Sequence, residues 1–129
     1  MKVLMKLLSF CCAIFLMSCG SEYIVDLSPK DFKTHIEADT VVLIDVRTPE
    51  EYMEGFIAGA GTIDVNSGLF EAKIQKLDKE TPVYVYCAAG VRSTKAAKIL
   101  EKNGFKKIYN LDGGVRDWTE ASYPLVKAK

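Results

Sequence analysis

Pro82-Val83-Tyr84-Val85-Tyr86-Cys87-Ala88-Ala89-Gly90-Val91-Arg92-Ser93 is the stretch that decides how this chain is read. A run of β-branched and aromatic residues reads as a short buried strand, and it ends in a cysteine. A small loop with a glycine follows, and Arg92 and Ser93 then open the helical stretch Ser93-Thr94-Lys95-Ala96-Ala97-Lys98-Ile99-Leu100. The pattern is strand, tight loop and helix, with a thiol at the first loop position. Amides at a helix start carry partial positive charge and point toward the loop centre. A thiol held there ionises more readily, and the thiolate is the nucleophile. Cys87 is therefore the candidate nucleophile, and Ala88, Ala89, Gly90, Val91, Arg92 and Ser93 form a candidate anion cradle. Gly90 supplies a conformation that a Cβ would hinder. A cation in the first turn of a helix opposes the dipole, so Arg92 is expected to face an anion at the sulfur. Ser93 is expected chiefly to cap the helix, with a hydrogen bond to that anion as the alternative.

On either side of this stretch, strand and helix signals alternate. Tyr23 to Asp26 reads as a short strand. Ser28-Pro29 starts a helix to about Glu37, with Ser28 as N-cap and Pro29 at the first helical position. Val41-Val42-Leu43-Ile44-Asp45-Val46 is an apolar run of strand length, as expected for a strand covered on both faces. Thr48 and Glu51 have capping-box spacing. Thr62 to Val65 reads as a short strand, Leu69 to Leu77 as an amphipathic helix, and Lys107 to Leu111 as a last strand. Gly113-Gly114 opens a short helix around Trp118, which is expected to pack, as are Tyr84 and Tyr86; His35, on the first helix, is expected to be solvated or to pack. Such alternation predicts an α/β fold with a central, mainly parallel sheet and helices on both faces. Ligands of such sheets sit beyond the carboxyl ends of the strands. Cys87 lies at one such end, and Asp45 and Arg47 at another. Asp45 is expected to hold loop backbone, and Arg47 to pair with a carboxylate or line the pocket mouth.

The residues now compose a recognisable set: Ile44-Asp45-Val46-Arg47-Thr48-Pro49-Glu50-Glu51-Tyr52, Gly55-Phe56-Ile57-Ala58-Gly59-Ala60, the Cys87 loop, Gly104-Phe105, and Leu111-Asp112-Gly113-Gly114 with Trp118 and Pro124. In this order the chain resembles a single-domain rhodanese, a sulfurtransferase family, over residues 23–129. The resemblance implies a small five-stranded α/β domain in which Cys87 accepts a sulfane sulfur from a donor such as thiosulfate. The persulfide passes that sulfur to cyanide, a thiol or a thiol-carrying protein partner. It implies no metal and no organic cofactor. Amides that cradle an anionic persulfide suit that chemistry. Four residues separate Cys87 from Arg92, whereas related phosphatases and arsenate reductases have five, so the shorter loop favours sulfur over phosphate or arsenate. Two features depart from the family pattern. Phe56 stands where many members carry His, and Ala88, Ala89 and Val91 make the loop apolar. A loop this poor in charge points to an organic persulfide or a protein partner. A non-catalytic persulfide carrier or interaction module is the alternative reading.

The 129 residues suffice for one domain. Residues 1–18 read as a secretory signal: Lys2 and Lys6 precede the apolar stretch Leu7 to Met17, which is shorter than the about 20 residues a spanning helix needs. Leu16-Met17-Ser18-Cys19 resembles a lipoprotein signal, so Cys19 is expected to be lipidated and to hold the protein at a membrane of the bacterial envelope, with residues 19–22 as a tether. Cys11 and Cys12 would leave with the signal and Cys19 would be acylated, leaving Cys87 as the lone free thiol of the four. The formal net charge is zero, and no clustered basic excess marks a nucleic-acid surface.

Overall fold

A computed structural model describes residues 20–129; the expected signal segment and Cys19 lie outside the described residues. Five strands form one sheet: β1 (Ile24–Leu27), β2 (Val42–Asp45), β3 (Gly61–Thr62), β4 (Val83–Tyr86) and β5 (Ile108–Leu111). Their order is β1-β5-β4-β2-β3, and every pairing is parallel. Helices α1 (Pro29–Ala38), α2 (Pro49–Glu54), α3 (Phe70–Ile74) and α4 (Val91–Lys102) lie in the connections between them, and α5 (Gly114–Glu120) follows β5.

β4 sits at the centre, and its sequence shows why. Successive side chains of a strand point to opposite faces. Val83 and Val85 join Phe70, Ile74, Ala96, Ala97 and Leu100 beneath α3 and α4. Tyr84 and Tyr86 join Phe32, Ile57, Leu111 and Trp118 on the face covered by α1 and α5. All four residues are buried, which is how a strand apolar on both sides must sit. His35 packs edge-on against Tyr84 and Tyr109, and its Nδ1 lies 3.1 Å from the Tyr84 hydroxyl.

The helix starts follow their local chemistry. The Ser28 hydroxyl accepts from Asp31 N, and Thr48 and Glu51 complete a reciprocal capping box. Two expected elements are shorter than their apolar patterns. Only Gly61 and Thr62 ladder with β2; beyond them Ile63 N and Val65 N still reach the Asp45 and Val46 carbonyls, at 3.0 and 3.2 Å. The helix expected over Leu69 to Leu77 ends at Ile74, where Leu77 N closes a tighter turn on the Ile74 carbonyl at 3.0 Å. Among the described residues, no helix is long and apolar enough to cross a membrane.

Candidate active site

Cys87 leaves the carboxyl end of β4 and is 1% exposed. The chain then turns back over its sulfur. Gly90 N donates to Sγ at 3.0 Å, and Ser93 Oγ lies 3.4 Å from it. Gly90 stands at φ +103°, a left-handed conformation that begins α4 and brings its amide onto the thiol. Burial alone would push the Cys87 thiol up. The Ser93 hydroxyl and the amides of Ser93, Gly90 and Ala89 outweigh it, and the thiol lies below its ordinary value.

The cradle is set from below by α5. Val115 N donates to the Cys87 carbonyl at 2.9 Å, and Arg116 N to the Ala88 carbonyl at 3.0 Å. The peptide whose carbonyl is that of Ala88 turns its N–H, the amide of Ala89, to the opposite side, toward the sulfur. This contact needs Gly114, at φ +60°. A Cβ there would sit 2.7 Å from the Ala88 carbonyl carbon and run into the Cys87 carbonyl oxygen. The sequence marks Gly113-Gly114 as a helix start; its second role, as the floor of the loop, is long-range and was not visible there.

Ser93 is the clearest correction. It lies inside α4, and the residue at the N-cap is Gly90. Its buried hydroxyl touches Cys87 and donates to the Gly90 carbonyl at 3.3 Å. When the thiol is protonated, the S–H can donate to Ser93 Oγ. Once the thiolate forms, the hydroxyl proton can swing to sulfur, because the Gly90 carbonyl keeps the Thr94 amide and hydroxyl as donors at 3.2 and 2.8 Å.

Arg92 follows the loop, but its guanidinium is committed elsewhere. It grips Glu51 in a two-pronged pair, at 2.6 and 2.9 Å, and donates no hydrogen bond to Cys87. Glu51, read in the sequence only as a capping residue, thus ties α2 to the first turn of α4 across 41 positions.

Asp45 and Arg47 close the neighbouring strand end. Arg47 donates to both Asp45 carboxylate oxygens, at 2.7 to 3.1 Å, and to the Gly55 carbonyl at 2.6 Å. Asp45 also accepts from Arg47 N at 3.0 Å, the loop-holding role expected of it. Both are buried, and the guanidinium lies over the Tyr86 ring at 5.9 Å. The two residues bond each other and Gly55, and neither bonds the Cys87 loop. Phe56 stacks on Tyr52 with ring centroids 4.1 Å apart and pairs its backbone with Val126. Among the described residues, no cluster of His, Cys, Asp and Glu has the arrangement of a metal site.

A thiol at the end of a central parallel strand, under a loop of amides closed by Arg92, matches one family in particular. The family model described as a rhodanese-like domain covers residues 28–121. The chain belongs to this rhodanese-like domain family. It is 38% identical over 88 residues to a thiosulfate sulfurtransferase of Coxiella burnetii, covering 68% of this chain and 79% of that one. It is 35% identical over 97 residues to a putative sulfur carrier protein of Bacillus subtilis, covering 74% of this chain. The chain spans about half the length of that relative (51%). A crystal structure of a rhodanese-like domain protein from Staphylococcus aureus superposes with a TM-score of 0.70 at 30% identity, covering 81% of this chain and 98% of that one. That structural likeness spans the five-stranded parallel sheet and its helices.

Proposed function

We propose that this rhodanese-like chain is a sulfurtransferase that carries the transferred sulfur on Cys87. The observation that carries the reading is the environment of Sγ: backbone N–H groups, a hydroxyl and no carboxylate in contact. In the first half-reaction the thiolate attacks the sulfane sulfur of the donor. A Cys87 S–S bond forms, and the bond to the rest of the donor breaks with its electron pair, releasing sulfite from thiosulfate or a thiolate from an organic persulfide. In the second, cyanide or a thiolate attacks the outer sulfur and Cys87 leaves as thiolate. The cradle amides hold negative charge at each stage.

Among donors, an organic persulfide fits better than the thiosulfate dianion. Ala88, Ala89 and Val91 bring no charge, and Arg92 is neutralised by Glu51. Intact mass after exposure to thiosulfate or glutathione persulfide tests both points. The expected outcome is one added sulfur, faster from the organic donor, discharged by cyanide as thiocyanate and absent in Cys87→Ser. Faster loading from thiosulfate would overturn the donor assignment; no loading from either would overturn the catalytic one. A carrier role is the second reading, supported by the likeness to a putative sulfur carrier protein: there the persulfide forms, but cyanide does not discharge it. A phosphate or arsenate enzyme fits less well, given the four-residue spacing and Cys87 as the free thiol among the described residues.

We also propose an envelope setting through lipidated Cys19, on the pattern of residues 1–18. When the full chain is expressed, metabolic labelling with a radioactive fatty acid should mark its processed product and fail in Cys19→Ala; a soluble, unlabelled product would sink this assignment alone.

A further inference from the structure

One face beside the cradle is unused by this chemistry. Val91, the residue after Gly90, is 81% exposed, more than any other large apolar side chain described. It begins a groove of about 440 Å³ along α4, lined by Val91, Lys95, Lys98, Ile99 and Lys102, with Glu71 on the α3 side. Positions 91, 95, 98 and 102 recur at helical spacing and share one face. Among the described residues none of these three lysines forms an ion pair; Lys95 donates to Asn66 Oδ1 at 2.8 Å, and Glu71 is the one acidic residue that lines the groove beside the three lysines. An exposed apolar side chain at the mouth of a thiol site, followed by unpaired cations, is complementary to a chain with an apolar anchor and several carboxylates.

We propose that the sulfur acceptor is a protein thiol presented on an acidic, extended segment that lies along the α4 groove. This rests on the sulfurtransferase reading and names its acceptor class. Val91 to Lys102 spans about 17 Å of helix at 1.5 Å per residue, which an extended chain covers in about five residues. The acceptor cysteine thus has an apolar neighbour over Val91 and carboxylates within about five positions. Its thiolate attacks the outer sulfur of the Cys87 persulfide. The new S–S bond forms on the partner, the old one breaks, and its electron pair returns to Cys87. Charge complementarity along the groove raises the encounter rate and weakens with salt.

The probes are three synthetic peptides, each with one cysteine followed by a leucine and then three glutamates, three glutamines or three lysines. The persulfide-loaded protein is mixed with each at low and at moderate salt, and peptide persulfide is followed by mass. The glutamate peptide should react about tenfold faster than the glutamine peptide at low salt and the lysine peptide slower still, with the spread shrinking as salt rises. The Lys98→Glu/Lys102→Glu variant should reverse that order. Cyanide discharge of the same samples reports that the persulfide has formed. Equal rates for the three peptides with normal cyanide discharge would overturn the acceptor assignment and leave the sulfurtransferase reading standing. No persulfide at all would overturn that reading; the cysteine-to-serine glutamate peptide would then still be titrated against the α4 amide NMR signals, and no shift there would remove the groove as well. Binding to vesicles containing phosphatidylglycerol without discrimination among the peptides would give the lysine face to a lipid surface and overturn the proposal.

Discussion

Two strands of the sheet end side by side and are finished in opposite ways. At the end of β2, a full negative charge on Asp45 is met by a full positive charge on Arg47, and both are buried. At the end of β4, the Cys87 sulfur meets only amides and a hydroxyl, while the nearby cation Arg92 is held by Glu51. The first arrangement fixes a loop: desolvated charges are tolerable only as a matched pair. The second leaves a group free to gain and lose charge, because amides stabilise an anion without demanding one. Structure and reactivity are thus placed on adjacent strands with different electrostatics.

The strongest way to break this contrast is to unpair β2. Asp45→Asn strands the Arg47 guanidinium in the interior and should cost about 3–5 kcal/mol in urea unfolding. Asp45→Leu with Arg47→Met should cost far less, since an apolar pair replaces an ionic one. A mild Asp45→Asn would mean that the Gly55 carbonyl and the Tyr86 ring suffice for the guanidinium. Next comes the floor of the β4 loop. Gly114→Ala forces a Cβ into the Cys87–Ala88 backbone at a positive φ, and should cost about 2–3 kcal/mol. It should also slow alkylation of Cys87, because the Ala88 carbonyl, whose peptide aims the Ala89 amide at the sulfur, has moved. Normal alkylation in a destabilised variant would separate the floor from the cradle.

The contrast also separates what was legible from what was not. The fold was readable because its signals are local: the doubly apolar strands, the Ser28 and Thr48 caps, and the glycine after Cys87 each act within a few residues. Cys87 was readable because a thiol at a strand end before a tight loop has few other uses. The pair Asp45–Arg47 is two residues apart, and half of its role was visible. Arg92–Glu51 spans 41 positions and the Gly114–Cys87 contact 27, so nothing local announces either. Ser93 failed for another reason. Capping was the sound local expectation, but a glycine in the left-handed region took the N-cap and moved Ser93 one turn inward, onto the sulfur.

That displacement makes Ser93 the next lever. Ser93→Ala removes one of the groups holding the Cys87 thiol down, while burial still pushes it up. The rate–pH profile of alkylation should move to higher pH, with the rate at pH 7 falling about threefold, the worth of a modest hydrogen bond. An unmoved profile would assign thiolate stabilisation to the amides alone.

The Arg92–Glu51 pair is a subtler lever, and it bears on why Arg92 is turned away. The Arg92 guanidinium holds the Glu51 carboxyl down to about 2, against an ordinary value of 4.5. A carboxyl depressed by folding stabilises the fold fully above its unfolded value. That contribution fades as pH falls from about 4.5 through about 2. The side chains are 26% and 32% exposed, so water screens the pair and the contribution is about 1 kcal/mol. Glu51→Gln keeps a residue able to complete the capping box with Thr48. It should flatten the stability–pH curve in that window and lower stability at pH 7 by about 1 kcal/mol. It also frees a guanidinium in the first turn of α4, beside the loop. The KM for thiosulfate should then fall about threefold, with loading from glutathione persulfide changed less, because the compact dianion gains more from the released charge than a donor whose carboxylates lie away from the reacting sulfur. A rise in KM for both donors would instead make the ion pair a support of the cradle. The apolar character of the site would then rest on Ala88, Ala89 and Val91 alone.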